Sequence, residues 1–141
     1  MTEKWPLPLI QSIIMEREFD AVSPLNSSSK RIKIITFDSY GLSGHPNHIA
    51  IYEACQSLPV EVYNLLSVPL WRKYLSIFDA MHILGRKLDN VVYITNLSET
   101  IRIKSAMING HVSQMVWYRW GWLIFSRFQV INELKLQNRL Q

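Results

Sequence analysis

Asp38, His45 and His48 stand within one short stretch, TFDSYGLSGHPNHIAIY, residues 36–52. Their types and spacing suit hydrolytic chemistry at a metal. Two histidines three apart on a first helical turn share a face. One can offer a neutral nitrogen to a metal, and the other can give or take a proton beside it. A helix amino terminus disfavours imidazolium, which helps keep a ligand histidine neutral. Spacing alone leaves a second reading open: two polar residues at an exposed helix start.

The flanking residues say how such groups would be held. Residues 32–37 form a β-branched apolar run and read as a buried strand that Asp38 closes. Residues 39–44 carry Gly41 and Gly44 and read as a tight loop. Pro46 suits the first turn of a helix, and the apolar run from Ile49 to Ala54 continues it. Strand, glycine loop and helix in that order bring Asp38, His45 and His48 to the carboxyl end of a strand. Ligands sit there in open α/β sheets.

This stretch closely resembles the second signature of the N-acetylglucosaminyl-phosphatidylinositol de-N-acetylases, members of a superfamily of zinc-dependent sugar deacetylases. The resemblance continues through SVPLWRKYLSIFDA, KSAMINGHVSQMVWYR and LIFSRFQVINEL and covers residues 31–136. It implies an α/β fold, a Rossmann-like three-layer sandwich with a mostly parallel sheet. It implies hydrolysis of the acetamide of a glycolipid, N-acetylglucosaminyl-phosphatidylinositol, at the cytoplasmic face of the endoplasmic reticulum membrane. His48 matches the metal-ligand histidine, with zinc or another divalent ion as cofactor. His45 matches the histidine that assists at the reacting carbonyl, and Asp38 the strand-end acid beside the site. His111 and Ser43 fall near the substrate pocket.

One departure stands out. The family's His-Pro-Asp-Asp signature supplies two more metal ligands and the base carboxylate, and it has no counterpart here. The sequence therefore reads as the carboxyl-terminal portion of the family domain. A second function follows from the same gap: a catalytically silent form that binds a membrane or a partner. A catalytic zinc normally takes three protein ligands.

At 141 residues and 48% apolar composition, one folded domain is expected, with residues 1–8 frayed. The formal charge is +4. Its basic residues fall in short scattered groups, Lys30, Arg31 and Lys33, then Arg72 and Lys73, then Arg86 and Lys87. No nucleic-acid motif accompanies them, so nucleic acid is not an expected partner. A mild positive balance suits anionic lipid headgroups. Cys55 is the only cysteine, which excludes an intrachain disulfide, and its apolar surroundings mark it as a core residue. No signal-peptide pattern opens the sequence, and no run reaches the roughly 20 apolar residues of a membrane span.

Along the chain, residues 9–19 read as a helix, 23–30 as a loop and 60–66 as a strand. Residues 71–81 have helical spacing, and 91–95 read as a strand. Asn96 or Ser98 caps a helix that Asn109-Gly110 ends. Asn26 and Asn96 each open a glycosylation sequon, a pattern common by chance. The segment 113–136 is rich in aromatics and reads as a final helix. On it Trp117, Trp120 and Ile124 share one face, while Tyr118, Trp122 and Phe125 share another. One stripe is expected on the sheet. The other, with Arg119 and Arg127, would contact a membrane surface.

Overall fold

The β-branched run forms strand β1 (Lys33–Phe37) in a computed structural model that describes residues 4–21, 33–85 and 90–137. The expectations at Ile32, over 23–30, at Asn26, and at Lys30, Arg31, Arg86 and Lys87 lie outside the described residues. The chain divides into two compact units, Met1–Ser67 with Lys135–Gln141, and Val68–Leu134.

In the first unit, helix α1 (Leu7–Ala21) precedes β1 and begins inside the stretch expected to fray. The loop expected after β1 contains one kinked turn, α2 (Gly41–Gly44). Helix α3 (Pro46–Cys55) and strand β2 (Glu61–Leu65) follow. β1 and β2 are parallel, in register from Lys33 opposite Glu61 to Phe37 opposite Leu65. A parallel pair needs a crossover, and α3 supplies it. Ala50 and Ala54 of α3 are fully buried against Ile10 of α1. Their small side chains let the two helices approach closely. Cys55, Leu58 and Val62 fill the neighbouring core with Ile34 and Ile51. Burial pushes the Cys55 thiol up, which suits a core residue and not a nucleophile.

In the second unit, the helix expected over 71–81 is two pieces, α4 (Leu70–Lys73) and α5 (Ile77–Leu84). Ser76, at φ 47°, interrupts it. Strand β3 (Val91–Ile94) and helix α6 (Leu97–Gly110) follow as the sequence predicts. Asn96 caps α6: its side chain accepts the Glu99 N–H at 2.9 Å, while Glu99 accepts the Asn96 N–H at 3.0 Å. That reciprocal pair satisfies two helix-end donors.

The expectation of a single helix to residue 136 is corrected. Helix α7 (Trp117–Phe125) stops at Ser126, whose backbone is extended. A turn of 3-10 helix, Arg127–Gln129, leads into strand β4 (Ile131–Leu136). β3 and β4 pair antiparallel from Val91 opposite Leu134 to Ile94 opposite Ile131. The last residues of β4 fall in the first unit, where Gln137 N–H donates to the Val62 carbonyl at 2.9 Å. The strands run in the order β1-β2-β4-β3. The class is α/β, as expected, with a four-stranded mixed sheet.

The turn before β4 is fixed by charge. Arg127 is fully buried: its Nε lies 2.7 Å from Asp79 Oδ2, and its Nη2 donates to Glu133 Oε1 at 2.9 Å. Arg72 joins from α4, donating through Nε to Asp79 Oδ1 at 2.7 Å and through Nη2 to Glu133 at 3.2 Å. The hydrogen bond to Asp79 holds the Arg72 guanidinium above its ordinary value. Two cations and two carboxylates thus close on themselves inside the unit. Arg127 is therefore no headgroup contact.

Candidate active site

Asp38 follows directly on β1 and folds back over its own loop. Its Oδ1 accepts the N–H groups of Tyr40 and Gly41 at 3.2 and 3.1 Å. The same oxygen accepts the Ser67 hydroxyl at 2.6 Å, and Oδ2 accepts the Ser67 N–H at 2.6 Å. Both oxygens are engaged, and they tie the loop after β1 to Ser67.

Gly41 carries the connection onward. Its N–H bonds to Asp38, and its carbonyl lies 3.0 Å from Nδ1 of His48. A carbonyl only accepts, so the His48 hydrogen sits on Nδ1 and the Nε2 lone pair is left free. Gly41 is at φ +62°, and a Cβ there would stand 3.0 Å from both His48 Cβ and Ile49 Cγ1. The position needs glycine for its conformation and for that close approach. The His48 ring stacks on Phe37 with centroids 4.0 Å apart and planes 9° from parallel. A carbonyl on one side and a ring beneath fix the direction of Nε2. A partner for the far nitrogen is what orients a ligand histidine.

His45 is the N-cap of α3. Its Nδ1 accepts the Asn47 N–H at 3.3 Å, so its hydrogen sits on Nε2. The two imidazole rings lie 4.7 Å apart, tilted by 31°. They hold opposite tautomers side by side, His48 with a free lone pair and His45 with a free N–H. His45 is exposed and His48 half-buried.

The structure thus brings Asp38, His45 and His48 together at the carboxyl end of β1. Ser43 lies on the same loop, exposed, with no described hydrogen bond from its hydroxyl. His111 caps the carboxyl end of α6 in the second unit, where it is exposed. On α7 the expectation of one buried stripe is corrected. Leu123 alone is buried, Arg119 and Trp122 are half-buried, and Trp117 and Trp120 are exposed. Both aromatic stripes keep exposed members, because nine residues end before a long helical face can form.

Ser67 is the functional residue that sequence reasoning missed. It anchors Asp38 twice, and its hydroxyl accepts the N–H of Leu42 at 3.0 Å. Leu42 is at φ 64°, a left-handed conformation that costs a non-glycine residue about 1–3 kcal/mol and needs such a hold. A polar residue just after the alternating segment 60–66 was the available signal. Parallel strands that end together bring their following residues together.

His48 Nε2 is a suitable donor, but among the described residues no three His, Cys, Asp or Glu side chains form a metal-binding group. The donor set does not fit a catalytic zinc, which takes three protein ligands.

Curated relatives match much of the chain. A Schizosaccharomyces pombe protein named probable N-acetylglucosaminyl-phosphatidylinositol de-N-acetylase is 43% identical, over 72% of this chain and 45% of its own length. The Bos taurus protein of that name is 37% identical, over 72% and 42%. The Saccharomyces cerevisiae protein is 27% identical, over 94% and 54%. The chain therefore spans about half the length of the curated relatives it matches. No protein-family profile matches the chain. No solved structure matches it either. Over the part it shares with these relatives, the chain is a homologue of the N-acetylglucosaminyl-phosphatidylinositol de-N-acetylases.

Proposed function

We propose that the whole protein hydrolyses the acetamide of N-acetylglucosaminyl-phosphatidylinositol and that this chain supplies its histidine pair. This is the second step of glycosylphosphatidylinositol-anchor synthesis, at the cytoplasmic face of the endoplasmic reticulum membrane. Water adds to the amide carbonyl carbon, the carbon–nitrogen bond breaks, acetate leaves, and the amine stays on the sugar. The observation that carries the reading is the pairing of the two imidazoles 4.7 Å apart, each held through Nδ1, His48 by the Gly41 carbonyl and His45 by the Asn47 N–H.

His45 can donate its Nε2–H to the carbonyl oxygen as negative charge grows there. A fixed donor aimed at developing charge lowers a barrier by about 3–4 kcal/mol. His48 offers its lone pair to a divalent ion. The remaining ligands and the base carboxylate would come from groups outside this sequence. Exposed Trp117 and Trp120, with Arg119 beside them, support an encounter with the glycolipid at a bilayer.

A graft tests the proposal. The matching stretch of the Schizosaccharomyces pombe protein is replaced by this chain, and acetate release from the glycolipid is measured. The graft should be active, and His48→Ala in it should lower turnover at least about a hundredfold. A folded but inactive graft would overturn the reading. The incomplete donor set favours a second reading, a silent binding module. Full membrane or partner binding by a graft that never turns over would support that one.

A further inference from the structure

The carbonyl that holds His48 and the N–H that donates to Ser67 belong to one peptide group, the bond between Gly41 and Leu42. Gly41 O lies 3.0 Å from His48 Nδ1, and Leu42 N lies 3.0 Å from Ser67 Oγ. A peptide group is planar, so its carbonyl and its N–H point in opposite directions and turn together. Whatever fixes the N–H therefore fixes the carbonyl.

The bonds all run one way. His48 Nδ1–H donates to the Gly41 carbonyl, Leu42 N–H donates to the Ser67 hydroxyl oxygen, and that hydroxyl donates to Asp38 Oδ1 at 2.6 Å. Each group passes one hydrogen toward the carboxylate. Bonds chained in this way polarise one another. A carboxylate set directly behind a ligand histidine orients the ring and raises its basicity. Here the carboxylate reaches the imidazole through a hydroxyl and a peptide.

The peptide is held against its own preference. Leu42 is at φ 64°, a region that leucine rarely adopts. Turning this peptide over would bring Leu42 to an ordinary negative φ, and Gly41 has no Cβ to resist the change. The turn would aim the N–H at His48 Nδ1 and the carbonyl away from it. The ring could then bond only as an acceptor at Nδ1, with its hydrogen on Nε2. The Nε2 lone pair would be lost.

We propose that Ser67 is the positioning residue for His48: its hydroxyl holds the Gly41–Leu42 peptide with the carbonyl toward the ring and so keeps the Nε2 lone pair free. Its weight in hydrolysis rests on the function proposed above, whereas its hold on the ring does not.

Nitrogen-15 spectra of the histidines test it in the full chain, at a pH where the ring is neutral. The parent should carry the His48 hydrogen on Nδ1. Ser67→Ala should move most of the population to the Nε2–H form, and Ser67→Thr, which keeps the hydroxyl, should hold the parent form. A merely structural serine would change stability and leave the tautomer alone. In the parent the Leu42 amide should exchange with solvent at least about tenfold more slowly than in an unfolded chain. In an active graft, Ser67→Ala should lower kcat at least about tenfold with KM unchanged, and Ser67→Thr should restore it. A folded Ser67→Ala chain with His48 still in the Nδ1–H form would overturn the proposal. So would a parent Leu42 amide that exchanges at the unfolded rate, whether or not the alanine variant folds. An inactive graft would count against the proposed function alone, because the spectra and the exchange rate decide this inference without turnover.

Discussion

Gly41 joins Asp38 to His48 through a single peptide. The carboxylate holds the N–H, and the carbonyl holds the imidazole Nδ1. Substitution by alanine attacks both features the position needs. A left-handed backbone costs an L-residue about 1–2 kcal/mol. The new Cβ would also press on His48 and Ile49 at 3.0 Å. Gly41→Ala should destabilise the chain by about 2–4 kcal/mol in urea unfolding and break the bond that fixes the His48 ring. Gly44 is the internal control. It also has positive φ, but among the described residues no atom beyond its chain neighbours lies within 4 Å of its Cβ position, so Gly44→Ala should cost only the backbone term. A histidine Nδ1–H signal unchanged in Gly41→Ala would refute the relay. The histidines and the loop glycines were legible because each type carries a distinct chemical use. Ser67 was not, because its partner becomes visible only once β1 and β2 are set side by side.

The elements of the second unit show why its end was misread. An aromatic-rich run fits a helix by composition, and α7 does form from Trp117 to Phe125. Beyond it, Arg127 enters the interior to meet Asp79 and Glu133, and the backbone must leave the helix to put Ile131 and Glu133 on one side of a strand. No local pattern announces that an arginine 48 positions from its aspartate will be buried beside it. By contrast, the strand expected over 60–66 was legible from its alternation, the one over 91–95 from β-rich content, and α6 from its cap. Arg127→Met should strand Asp79 and Glu133 with Arg72 alone and cost about 3–5 kcal/mol. Adding Glu133→Gln to Arg127→Met removes one orphaned charge and should recover part of that loss. If urea midpoints show the single substitution within about 0.5 kcal/mol of the parent, the network does not hold the turn before β4.

At the scale of the whole molecule, the chain has a positioned histidine pair but not a complete hydrolytic centre. Its α/β class and the convergence at the end of β1 were legible in the sequence, because strand, glycine loop and helix form one local unit. The burial of Asp79 with Arg127 was not, because it depends on which residues turn inward. Three protein ligands and a base are needed for a metal hydrolase, and among the described residues no three His, Cys, Asp or Glu side chains form such a group. Purified chain with added zinc and the glycolipid should therefore release no acetate above a His48→Ala control. Equilibrium dialysis should show weak zinc uptake that His48→Ala lowers and a chelator reverses. Turnover that disappears in the His48→Ala control would mean that residues of this chain complete the centre, and the need for outside donors would fall.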